Sequence, residues 1–221
     1  MKSKQLILPR KDKEGRYYLS YSQISKWNKS KRDYIRSYFF GEEDNNPALQ
    51  KYGDFGHKVG ESYENNDFSK WEDDEAKFLK SLPYYDEFER EIRLDMGSFY
   101  VLGFIDSNTK EEDGYVKKML DYKTGEIVKR TPDYESDDYR QIHIYAAALE
   151  QEYKKLPDEA CVVLIGRDGN AFAGDELTLS KEVAIIDKKL TKKSILETKQ
   201  YIKEIAEEIS SYYTTYLKFI K

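Results

Sequence analysis

Two apolar runs, Phe99–Ile105 and Tyr115–Leu120, flank a polar segment containing Asp113-Gly114, and each run is followed at once by a carboxylate, Asp106 or Asp121. Apolar runs joined through Asp-Gly read as an antiparallel hairpin. Side chains on a strand alternate faces, so Asp121 and Lys123 point the same way and Tyr122 the opposite way. Asp106, at the end of a run of apolar residues and glycine, falls on the neighbouring strand within reach of the same spot. Two acids and an amine then converge. Hard carboxylate oxygens with a backbone carbonyl can hold Mg²⁺ or Mn²⁺ and leave positions open for water and a phosphate oxygen. A lysine beside them can orient water and offset charge developing on a phosphodiester. Taken alone, an Asp-x-Lys strand end is more often a solvated charge pair. The apolar flanks of both strands and the rest of the chain set this one apart.

A length of 221 residues predicts a single domain, of a size that buries roughly 70% of its unfolded surface. We divide it into an N-terminal helical part (1–85), a sheet with the helix that follows it (86–179) and C-terminal helices (180–221). The single cysteine, Cys161, cannot form a disulfide, a zinc site or a four-cysteine iron–sulfur cluster within the chain. A reducing, cytoplasmic location is expected, with no membrane partner, since no apolar run reaches the ~18 residues of a span and the N-terminal run is short for a signal peptide. The net charge of −5 does not announce a nucleic-acid binder, but local charge is uneven. Trp71–Glu75 and Asp133–Asp138 are acidic, whereas Lys26–Arg36 is basic. The 20 tyrosines suit either nucleobase stacking or a compositional bias of the source genome.

Along the chain, Gln5–Leu8 is a strand candidate, and Ser20 or Ser22 can cap a helix that carries Ile24 and Trp27. Lys31–Phe39 is a second helix whose Lys31, Arg32 and Arg36 face outward, toward a phosphate backbone or simply toward solvent. Pro47–Glu64 is helical and places His57 and Glu61 one turn apart, either a weak helix contact or, facing the carboxylates, a further metal ligand and acid. Glu72–Leu82 is a short acidic helix, and Glu87–Asp95 alternates as a half-buried strand, with Phe88, Arg90, Ile92 and Leu94 on one face. Glu126–Asp138 reads as a polar connection, followed by a helix with Gln141 and Tyr145 one turn apart. Cys161–Ile165 is a buried strand, Ala171–Leu179 a returning strand, and Ser180 opens one long or two consecutive helices with a stripe from Ile195 to Ile220. The fold class is a mixed α/β sheet flanked by helices.

In order, these pieces resemble the RecB-type nucleases of the PD-(D/E)XK superfamily, in the branch with a Gln-x-x-x-Tyr motif. The resemblance rests on Leu19-Ser-Tyr-Ser-Gln-Ile-Ser-Lys-Trp27, Gly53-Asp-Phe-Gly-His57, Gly103-Phe-Ile-Asp106, Asp121-Tyr-Lys-Thr-Gly125 and Gln141 to Tyr145, and extends from Leu19 to the strand at Cys161. It implies a restriction-endonuclease-like core and Mg²⁺- or Mn²⁺-dependent cleavage of DNA, with exonuclease action on an end ahead of structure-specific endonuclease action. His57, Asp106, Asp121 and the Tyr122 carbonyl are implied as metal ligands and Lys123 as the catalytic lysine. Gln141 and Tyr145 are implied to position the DNA strand, and Glu61 matches a common family acid. DNA with a free end is the implied partner, beside a helicase or recombination protein. Relatives such as the CRISPR-associated adaptation nucleases carry four cysteines for an iron–sulfur cluster; here Asn, Lys and Ser stand near the corresponding helix, so a cluster-free branch is implied.

Overall fold

Val162, Val163, Leu164 and Ile165 are all fully buried, so the strand that carries them is covered on both faces. Its alternation divides the interior. Val162 and Leu164 enter one apolar cluster with Trp27, Ile142, Leu149 and Ile202, whereas Val163 and Ile165 enter another with Phe55, Val59, Tyr63 and Trp71.

The computed structural model describes residues 6–43 and 45–220. In chain order the elements are β1 (Tyr18–Ser20), α1 (Tyr21–Lys29), α2 (Lys31–Tyr38), α3 (Pro47–Glu64), α4 (Asp73–Lys80), β2 (Glu87–Asp95), β3 (Tyr100–Asn108) and β4 (Lys118–Gly125). They continue with α5 (Ile127–Glu135), α6 (Gln141–Tyr153), β5 (Glu159–Asp168), β6 (Thr178–Asp187) and α7 (Lys192–Phe219). The six strands form one mixed sheet in the order β1-β3-β4-β5-β6, with β2 on the other edge of β3. β4 and β5 run parallel and need a crossover, which α5 and α6 supply. The mixed sheet flanked by helices, with a long C-terminal helix, is the architecture expected from the sequence.

Local signals explain most boundaries. Ser20 caps α1 by accepting from Gln23 N, and Ser30 both ends α1 and caps α2 through Asp33 N. Asn46 accepts from the amides of Ala48 and Leu49 ahead of Pro47 at the first position of α3.

Several expectations need correction. Glu126–Asp138 contains a helix, α5, although Glu126 makes no side-chain cap and Pro132 lies within it. Tertiary contacts hold it instead. Tyr134 is buried, and the Lys188 ammonium donates to the Tyr134 and Ser136 carbonyls at 2.8 and 3.0 Å, closing the helix C-terminus. The returning strand is Thr178–Asp187, preceded by a 3-10 turn at Ala171–Ala173, so residues 180–187 belong to the sheet rather than to the C-terminal helices. A register shift between Ile165 and Arg167, with Lys181 at φ 59°, breaks the alternation that would have marked it. Ile185 is exposed on that strand.

Among residues 6–8 there is no strand: Leu6 and Leu8 are buried and Ile7 N donates to Ser210 Oγ on α7 at 2.9 Å, while Gln5 lies outside the described residues. Finally, β2 does not alternate cleanly. Glu89 takes a left-handed conformation (φ 48°), and in consequence Phe88 packs with one cluster and Ile92 and Leu94 with the other.

Candidate active site

β3 is paired with β2 on one side from Tyr100 to Asn108, with a gap at Asp106 opposite Glu89, but its other side is shared. β1 takes Tyr100–Leu102, and β4 takes only Ser107 and Asn108, opposite Leu120 and Met119. Between those contacts β3 has no partner, and β3 and β4 part company one residue beyond the Ser107–Leu120 pair. Asp106 and Asp121 stand at that fork. The Tyr122 amide, freed by the splay, donates to Asp106 Oδ2 at 2.6 Å, so a side chain bridges where a backbone ladder stops. The hairpin is therefore shorter than the apolar runs suggest, and Asp121 lies inside β4 rather than at its end.

The expected alternation holds along β4. Leu120 and Tyr122 face α3, and the Tyr122 ring stacks on Tyr63 with centroids 4.5 Å apart while its hydroxyl donates to the Pro83 carbonyl at 2.7 Å. Asp121 and Lys123 face the other way, and Lys123 Nζ lies 2.5 Å from Asp121 Oδ2. The same ammonium donates to the Tyr122 carbonyl at 3.2 Å. Asp121 is fully buried, and α6 with the turn before it supplies its remaining partners: Gln141 Nε2 donates to Oδ1 at 2.8 Å and the Tyr139 hydroxyl donates to Oδ2 at 3.0 Å. Gln141 also donates to the hydroxyl of Tyr145, which is buried. Gln141 Oε1 also lies 2.9 Å from the Tyr139 hydroxyl, so Gln141, Tyr145 and Tyr139 form one clamp on Asp121.

Burial and the charge of Asp121 push the Asp106 carboxyl well above the usual carboxylate range, against the smaller opposing effect of Lys123. For Lys123, burial would lower the pKa, but the charges of Asp121 and Asp106 outweigh it and hold the ammonium above its ordinary value. It keeps its proton at neutral pH and acts as a fixed positive charge. Tyr139 and Tyr145 are likewise raised, by burial and then by Asp121, and remain neutral phenols.

Gly103, the glycine of Gly-x-x-Asp, has a direct steric reason. A Cβ there would come within 2.7 Å of the Tyr145 ring and 3.1 Å of Ile92. We predict that Gly103→Ala displaces Tyr145, costs about 1–3 kcal/mol as overpacking does, and loosens the hold of Gln141 on Asp121; a denaturant melt and an activity assay would check it. An unchanged melt and full activity would count against the clamp.

The other expected residues are dispersed. His57 and Glu61, both exposed on α3, line a cleft with Asp106, Tyr122 and Lys123, and Glu61 pairs with Lys70 at 3.1 Å. Asp121 does not line that cleft. Among the described residues no group of three or more His, Cys, Asp or Glu side chains is set to hold a metal as it stands. The fork itself suits a hard cation: two neighbouring acids, one with its pKa raised by burial and by the other's charge, and a carbonyl and a carboxylate that share one ammonium. Lys31, Arg32 and Arg36 line neither of the clefts that Lys123 borders. Lys31 pairs with Glu208 and Arg36 with Glu42.

Three residues of the site escape a reading of the sequence. Tyr139 precedes its helix with no pattern to mark it. Glu64 and Glu89 line the cleft beside His57 and Asp106, and the carboxyl of Glu89 is raised by burial and by Glu64. Strict alternation placed Glu89 on the outer face; its left-handed backbone removes that inference.

No protein-family profile matches the chain, and no curated protein matches it. A crystal structure named "Putative exonuclease", from Eubacterium rectale, is similar over 94% of this chain and 86% of its own, with 12% identity and a TM-score of 0.49.

Proposed function

We propose that this protein is a Mg²⁺- or Mn²⁺-dependent deoxyribonuclease that hydrolyses phosphodiester bonds at the β3–β4 fork, working from DNA ends in recombination, repair or replication. The observation that carries the reading is the juxtaposition of Asp106 and Asp121 with Lys123 held 2.5 Å from Asp121. Asp106, Asp121 and the Tyr122 carbonyl would hold the cation, with His57 the candidate ligand from α3. When bound, the cation supplies Lewis-acid polarisation of a phosphate and lowers the pKa of a water.

The protein's own groups do the rest. Lys123 keeps its proton, so its part is to place positive charge against the phosphate as negative charge builds on it. Gln141 and Tyr139 fix the rotamer of Asp121, and Gly103 makes room for the Tyr145 that braces Gln141. An intact acid, acid and lysine set argues against a binding module on a disabled scaffold.

A net charge of −5 gives little general attraction for internal duplex, which favours capture of an end over tight binding along a helix. Linear and covalently closed DNA, incubated with Mg²⁺, Mn²⁺ or chelator, test the mode. Metal-dependent loss of linear DNA, protected by blocked ends, with closed circles spared, is expected. Rapid nicking of the circles would move the protein to a structure-specific endonuclease.

The paired acids at the fork also make a stability prediction. Because the folded pKa of Asp106 lies above its unfolded value, the folded state binds the proton more tightly, and its charged form destabilises the fold at a pH above that raised value. The penalty fades as pH falls toward the ordinary carboxylate range. Asp106→Asn should therefore melt higher than wild type in chelator near neutral pH, by about 2–4 °C per kcal/mol recovered, with the gap closing as pH drops. Mn²⁺ should raise the wild-type midpoint and leave the variant's nearly unmoved. A gap independent of pH would contradict the assignment.

A further inference from the structure

Lys123 borders two clefts. The first, about 640 Å³, is the acidic one with His57, Glu89 and Asp106. The second, about 810 Å³, opens between α1, α5, the start of α6 and α7, and beyond Lys123, Tyr139 and Gln141 its walls have no part in the hydrolysis chemistry. Its walls carry four tyrosines: Tyr21 on α1, Tyr134 on α5, Tyr139 just before α6, and Tyr201 on α7. Tyr21 and Tyr134 meet Tyr139 edge-on, with ring centroids 5.6 and 5.0 Å apart, and Tyr21 and Tyr201 are partly exposed.

The charges are mixed but ordered. Arg130 donates to the Tyr134 hydroxyl at 3.2 Å and pairs with Asp133 at 3.0 Å. Lys29 is exposed, forms no ion pair among the described residues, and with Lys123 and Arg130 faces Asp133 and Asp138.

We infer that this aromatic cleft receives the unpaired nucleotides next to the phosphate under attack, an assignment that rests on the nuclease reading of the lysine the two clefts share. A cleft of 810 Å³ is of the size that encloses a small-molecule ligand, enough for a nucleotide or two and not for paired strands. Tyrosine rings take bases by stacking without choosing a sequence, and Lys29 and Arg130 are placed for the phosphates between them. A single strand that leaves the tyrosines crosses Lys123 and enters the acidic cleft, so bases are gripped on one side and one phosphate is delivered to the fork.

The test is binding without metal. Fluorescence anisotropy of a labelled six-nucleotide oligothymidylate is compared with an abasic oligomer of equal length and charge. The thymidylate should bind ~10-fold more tightly. Tyr21→Leu with Tyr201→Leu should bring the two to near parity while the abasic affinity stays put, and Arg130→Gln should weaken both. Equal affinity for the two oligomers in wild type overturns the inference however the variants fold. So does a base preference that persists in a cooperatively melting double variant. Cleavage is scored separately: base-dependent binding without cleavage retains the cleft and removes the nuclease reading, and cleavage without base-dependent binding does the reverse.

Discussion

Lys123→Met is expected to cut DNA cleavage by ~100-fold or more while divalent-cation binding and DNA binding persist. The lysine holds no oxygen donor to offer a metal, and its raised pKa keeps it a cation beside Asp121. Removing it takes charge from the transition state rather than a ligand from the ion. Lys123→Arg keeps the charge but changes its shape, and is expected to recover only part of the rate. Turnover near the wild-type level in Lys123→Met would reduce the lysine to a structural partner of Asp121.

Asp121→Asn should remove cleavage altogether and with it the stabilisation that Mn²⁺ confers. The amide retains the shape of the carboxylate and keeps one oxygen to accept from Tyr139 and Lys123, while its NH2 can donate to Gln141 Oε1 once that amide turns over, so the fold survives. Asp121→Ala is harsher. It strands Lys123, Gln141 and Tyr139 around an emptied, buried position, a loss toward the lower end of about 3–5 kcal/mol because Lys123 is partly exposed. Calorimetric Mn²⁺ titration and a thermal melt separate the two variants. Wild-type cleavage by Asp121→Asn would remove the acid from the chemistry.

The pairing of Asp121 with Lys123 was legible because period-2 alternation is a property of any regular strand, and β4 is regular through those residues. The approach of Asp106 was legible from the Asp-Gly turn between two apolar runs. The fork was not. It depends on β1 and β4 dividing one edge of β3, a fact of sheet order that no local pattern carries. Glu89 was hidden by its own left-handed backbone inside a strand, and α5 by a capless start and an internal proline, the helix being held by contacts from a distant part of the chain such as Lys188.

The role of Gln141 shows how far spacing reaches. Its separation from Tyr145 by one turn is visible in the sequence, but that Gln141 turns inward onto Asp121 with Tyr145 bracing it, and Gly103 giving the Tyr145 ring room, requires the packing of α6 on the sheet. Charges mislead in a similar way. Lys31 and Arg36 look like a basic face until the acids that meet them, Glu208 from α7 and Glu42 beyond α2, are in place.

The most direct test is digestion of end-labelled linear single-stranded DNA by wild type and by Asp121→Asn, purified identically, in Mn²⁺ and in chelator. A ladder of shortened products from wild type in Mn²⁺ alone, with none from the variant, is the predicted result. Intact label in every lane, or the same ladder from both proteins, would contradict hydrolysis at the fork.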